Sequence, residues 1–104
     1  MAVLRILLLS AGILLETIPV LAGKLLIPMD LAQTDHLKAY GVAYWALQRG
    51  LTVEWLLNYR GGAFLTDAVE AVVYESRLRD VTALTISDAQ AAQIFAEMEE
   101  ANME

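Results

Sequence analysis

Between Lys24 and Ser87 short apolar runs alternate with stretches of helical periodicity, strand-helix-strand-helix-strand, and this alternation restricts the chain's possible folds more than anything else in it. Strands joined through helices point the same way, so the pattern predicts a parallel sheet with crossover helices. In such sheets ligands gather at the carboxyl ends of the strands. Lys24 to Met29 is a nearly continuous apolar run, as in a strand buried on both faces, and Pro28 marks its end because it cannot donate to a ladder.

A helix is predicted to follow. Asp30 with Gln33 offers a capping box and Thr34 a competing cap. Leu37, Tyr40, Gly41, Tyr44, Trp45 and Leu47 recur at helical spacing up to about Gln48, and Gly50 provides the stop. Gly41 inside the helix costs roughly 1 kcal/mol against alanine, which a close approach of helix to sheet would explain. Leu51 to Tyr59 reads as the second strand, and Asn58-Tyr59-Arg60-Gly61-Gly62 as its turn into the next helix. Asp67 with Glu70 reads as that helix's cap, with Ala68, Val69, Val72 and Val73 as its apolar stripe. Val81 to Ile86 is the third strand. Ser87 with Gln90 forms the capping box of a last helix that buries Ile94, Phe95 and Met98.

The expected fold is therefore α/β: a three-stranded parallel sheet, order 2-1-3, with βαβαβα connectivity. Right-handed crossovers are the rule for such units. Three strands leave two open edges, and the pattern stops at a helix where a fourth strand would normally follow. Residues 23–104 are thus read as the amino-terminal part of a larger α/β domain.

The leader is read separately. Met1 to Ala22 carries Arg5, then the apolar stretch Ile6 to Leu15, then Pro19-Val20-Leu21-Ala22 with short side chains where a signal peptidase cuts. This is the layout of a secretory signal cleaved after Ala22, with a hydrophobic signal helix and only transient contact with the membrane. The run is short for a retained span, and Glu16 is costly beside it. The plainer alternative is a hydrophobic strand or helix that packs on the domain. Export places the protein in the periplasm or cell envelope.

The chain has 104 residues and net charge −6, and a leader holding one Arg and one Glu leaves that charge unchanged on removal. So acidic a surface repels phosphate backbones and argues against nucleic acid as a partner. The chain contains no cysteine, which removes disulfides, thiolate nucleophiles and zinc-thiolate sites. With a single histidine, His36, no metal site is expected, and no cofactor-binding motif is present. The Gly-Gly loop lacks the spacing of a Walker loop and does not follow the first strand as a dinucleotide fingerprint must. No serine sits in a Gly-x-Ser-x-Gly elbow.

Parallel strands would bring Asp30, the loop Asn58, Tyr59, Arg60, Gly61 and Gly62, and Asp88 to one crevice. The glycines permit close backbone approach, and Arg60 adds a planar donor fork for a carboxylate or phosphate. A small polar or anionic ligand is the expected occupant, with Asp30 or Asp88 as hydroxyl acceptor or base. The structural alternative is that Gly-Gly makes a turn, Asp30 and Asp67 cap helices, and Arg60 pairs with one of them. His36 reads as a surface histidine at a helix start, and Tyr44, Trp45 and Trp55 as core aromatics.

The strings Lys24-Leu25-Leu26-Ile27-Pro28-Met29-Asp30, His36-Leu37-Lys38-Ala39-Tyr40-Gly41 and Trp55-Leu56-Leu57-Asn58-Tyr59-Arg60-Gly61-Gly62 resemble the start of a group of exported bacterial proteins, largely from Bacteroidetes, labelled asparagine synthetase B. The resemblance covers Lys24 to about Gln90. It implies export, a longer parent chain and a flavodoxin-like, class I glutamine amidotransferase-like architecture. It implies no catalytic residue here: glutamine-dependent asparagine synthetases use an amino-terminal cysteine and a Ser-Gly-Gly-x-Asp-Ser loop, and this chain has neither. The sequence reading is thus an exported amidotransferase-like module that binds a small ligand, its other partner being the remainder of its own chain. The alternative is the first part of an amidotransferase, hydrolase or glycosyltransferase with its catalytic residues elsewhere.

Overall fold

The structure is a computed structural model and describes residues 3–6 and 20–102. Among the described residues the elements run β1 (Val3–Ile6), β2 (Val20–Ile27), α1 (His36–Gln48), β3 (Val53–Leu56), β4 (Ala63–Val69), α2 (Glu70–Leu78), β5 (Leu84–Ile86) and α3 (Asp88–Asn102). The strands form one sheet in the order β1-β3-β4-β2-β5. Every neighbouring pair is antiparallel.

The expected three-stranded parallel sheet in order 2-1-3 is thus overturned, and with it the flavodoxin-like, amidotransferase-like architecture. One strand accounts for the difference. The capping spacing of Asp67 and Glu70 predicts a helix from Asp67 on, with Ala68 and Val69 in its apolar stripe, where the structure has the strand Ala63–Val69. Asp67 instead stands in β4 opposite Lys24 of β2, and the two side chains form an ion pair. A charged residue is at home on a strand when an opposite charge faces it across the ladder. Helix α2 starts after Val69, with no side-chain cap.

The two helix-linked strand pairs, β2 with β3 and β4 with β5, do run parallel. They are not neighbours: β4 lies between the first pair and β2 between the second. From β2 to β5 the chain therefore has the split βαβ connectivity, βαββαβ, of ferredoxin-like folds. β1 extends one edge, pairing with β3 in the register Val3 to Leu56.

Alternation along the strands builds two cores. Leu25, Ile27, Val53, Phe64 and Ala68 face α1 and α2 on one side. Leu26, Leu56, Ala63 and Leu65 face Ala91, Ile94 and Met98 of α3 on the other. Leu25, Ile27, Leu56 and Leu65 are almost wholly buried, each worth about 1.5–3 kcal/mol in transfer free energy. Helix α1 buries Ala39, Val42, Ala43 and Ala46. Leu37, Tyr40 and Tyr44, expected inside, are 82%, 48% and 60% exposed. A face of small residues lets α1 lie close to the sheet, and the larger side chains are left outside or at the margin.

Both glycine readings in this region are refined. A Cβ on Gly41 would meet Nη1 of Arg79 at 2.9 Å, so the close neighbour is the end of α2, not the sheet. Gly50, with positive φ, ends α1 in a Schellman motif: its N–H donates to Leu47 O and that of Leu51 to Ala46 O. The cap of α1 is Asp35, whose carboxylate accepts from the Lys38 N–H, in place of Asp30 or Thr34. At α3 the reciprocal Ser87–Gln90 pair forms as the sequence suggests.

Residues 7–19, with the apolar stretch and Glu16 of the expected export signal, lie outside the described residues. Of the rest of that leader, Val3–Ile6 is a strand and no part of a signal helix, and Val20 to Ala22 opens β2. No helix among the described residues is long and apolar enough to cross a membrane.

Candidate functional site

β2 and β3 point the same way, so the segment after β2 and the hairpin after β3 meet at one end of the sheet. Residues 57–62 connect β3 to β4 in a tight hairpin. Its turns are closed by Gly62 N–H and Ala63 N–H, both donating to Tyr59 O. Trp55 Nε1 donates to Gly62 O at 2.9 Å, and the Trp55 ring stacks on Phe64 with centroids 5.7 Å apart.

Arg60, Gly61 and Gly62 all have positive φ, at 45°, 77° and 89°. The Gly61 position admits no side chain, because a Cβ there would stand 2.5 Å from Met29 O. That close approach lets Met29 N–H donate to Arg60 O at 3.0 Å. It also aims the Arg60 side chain at Asp30: Nε donates to Oδ2 at 2.8 Å and Nη2 to Oδ1 at 3.4 Å. Oδ1 of Asp30 also accepts from the Ala32 N–H at 3.0 Å. The hydrogen bond from Arg60, then that from Ala32, hold the Asp30 carboxyl below its usual range, while the same pair raises Arg60 further. Asp30 and Arg60 are therefore a fixed ion pair, and Asp30 is no free base. His36 Nε2 lies 2.9 Å from Asp30 O, so the lone histidine braces the same loop.

The expected crevice of three converging strand tips is not formed. β5 runs opposite to β2, with Ile86 facing Lys24, so Asp88 sits at the other end of the sheet from Asp30 and Arg60. Asn58 is exposed in the hairpin, and Gly61 and Gly62 shape the turn.

Tyr59 and Arg60 instead line a cleft of about 530 Å³ between α3 and the sheet. Its apolar lining is Leu26, Leu84, Ile86 and Ile94, with Ala89 at one end of the helix wall. Its polar lining, besides the two hairpin residues, is Gln90, Gln93 and Glu97, which recur at helical spacing along one side of α3. The volume is in the range of small-molecule sites, which combine apolar surface with a few placed polar groups. No serine, threonine, cysteine, lysine or histidine is among the lining residues. Among the described residues no group of His, Cys, Asp or Glu could hold a metal ion.

Sequence reasoning singled out Tyr59 and Arg60 but missed the whole opposite wall. The one available signal was the stripe Gln90, Gln93, Glu97 beside the apolar face of the last helix, which reads as an ordinary solvated face until the sheet is placed beneath it. No family model, curated protein or solved structure matches the chain.

Proposed function

We propose that this protein is an exported binding module that takes a small amphipathic carboxylate in the cleft between α3 and the sheet. The observation that supports it is Arg60. The guanidinium is oriented in advance by Asp30 through Nε and Nη2, and it lines a cleft whose remaining surface is largely apolar. A planar fork with N–H donors to spare suits a carboxylate, and little side-chain entropy remains to be lost on binding. The apolar lining takes the body of the ligand. The pair with Asp30 also tempers the local charge, which favours a singly charged carboxylate over a phosphate dianion. Export is proposed from the leader, and kinship with the exported proteins labelled asparagine synthetase B from the strings around Asp30 and Arg60.

Calorimetric titration with nonanoate tests the binding reading. Arg60→Gln should weaken binding about tenfold, the loss of one charge-assisted contact. Leu84→Glu, on an exposed lining residue, should weaken it comparably by repulsion without disturbing the hairpin. Absence of binding by nonanoate and by an apolar dipeptide alike, or binding indifferent to both changes, would refute the reading. Mass measurement of secreted protein tests export, the expected first residue being Gly23.

A further inference from the structure

We infer that the cleft selects a zwitterion, a short peptide with apolar side chains, whose carboxylate meets Arg60 and whose ammonium meets Glu97. This rests on the carboxylate-binding reading and adds the second charge. Arg60 and Glu97 line the same cleft, yet they form no ion pair with each other: Arg60 is paired to Asp30. Glu97 makes no hydrogen bond or ion pair among the described residues, so its carboxylate is uncommitted. A purely anionic ligand held by Arg60 brings its charge toward that second carboxylate and is repelled. An added ammonium turns the repulsion into attraction.

The rest of the lining fits the same class. The Gln93 side chain has no partner among the described residues, and the Gln90 side chain accepts only from the Ser87 N–H through Oε1, so both keep amide donors for a peptide group. Leu26, Leu84, Ile86 and Ile94 provide the surface for apolar side chains. The cleft is roomier than a single amino acid needs, which favours two or three residues. Charge complementarity thus singles out a peptide over a fatty acid, which has nothing to offer Glu97.

The test is calorimetry with Leu-Leu, N-acetyl-Leu-Leu and nonanoate on the full chain and on Glu97→Gln, a change at an exposed position that leaves folding intact. Leu-Leu should bind most tightly. Acetylation should cost about fivefold on the native chain, the worth of a partly exposed ion pair, and nothing on Glu97→Gln. Equal binding of Leu-Leu and its acetylated form, or binding of nonanoate without Leu-Leu, overturns the zwitterion while leaving the carboxylate site standing. Failure of all three ligands removes both.

Discussion

Gly61 and Gly41 look alike in the sequence but do different work. Gly61 has positive φ, and the atoms that exclude a side chain there are backbone atoms of Met29 and Asp30. Gly61→Ala should therefore destabilise by about 2 kcal/mol and loosen the Arg60–Asp30 pair. At Gly41 the obstacle is the mobile end of Arg79, so Gly41→Ala should instead stabilise by up to about 1 kcal/mol through helix propensity. Urea denaturation of the two variants checks the opposite signs. Asp30 carries a pH signature. Its folded pKa lies below the ordinary 3.8 because Arg60 donates to it, so the ion pair contributes fully above 3.8 and fades as pH falls through the lowered value. The difference in urea midpoint between the native chain and Asp30→Asn should be constant above pH 3.8 and shrink below it. The Arg60–Asp30 pairing was among the alternatives legible in the sequence, because an arginine beside glycines seeks a carboxylate. Which carboxylate it found depends on two chain segments meeting.

At the scale of elements, buried Gln33 is the tie that holds the α1 side of the fold to the approach of β5. Its Nε2 donates to Pro28 O and Thr82 O, at 2.8 and 2.9 Å. Its Oε1 accepts from the Thr34 and Thr82 N–H groups, at 3.1 and 2.9 Å. Gln33→Ala should cost about 3 kcal/mol by orphaning these peptide groups, read as a lowered urea midpoint with faster amide exchange at Thr82. Local pattern casts Gln33 as half of a capping box, a role that needs only near neighbours. Its actual partner at Thr82 is remote in sequence and invisible to any window. The same limit hid β4. Ala63 to Val69 satisfied the rules for a helix start, and only the ladder to β2 and β3 makes it a strand. The stop of α1 at Gly50 and the Ser87–Gln90 box of α3 are readable because they are local chemistry, whereas the cap of α1 moves from Asp30 or Thr34 to Asp35.

For the molecule as a whole, the sheet's edge raises the question of what the leader contributes. Among the described residues β1 pairs only with β3, and the ladder from Lys24 to Ile27 does not involve it. A chain of residues 23–104 should therefore fold, with unchanged helical circular dichroism and a stability lower by about 2 kcal/mol for the lost β1 ladder, the lost Val20–Val69 pairing and the packing of Val3. A random-coil spectrum would make β1 part of the folding unit and would be hard to reconcile with its removal on export. The sequence by itself determined where apolar segments lie, that Gly50 stops α1, that Ser87 and Gln90 cap α3, and that the Asn58 to Gly62 loop is a tight turn carrying Arg60. These follow from interactions between residues a few positions apart. Only the tertiary structure decided that the helix-linked strands are kept apart by intervening ones, that Asp88 leaves the site, and that α3 lends Gln93 and Glu97 to it. Hydrogen bonds between strands join residues distant in the chain, and a strand's neighbour depends on which pairing buries both faces of the sheet at once.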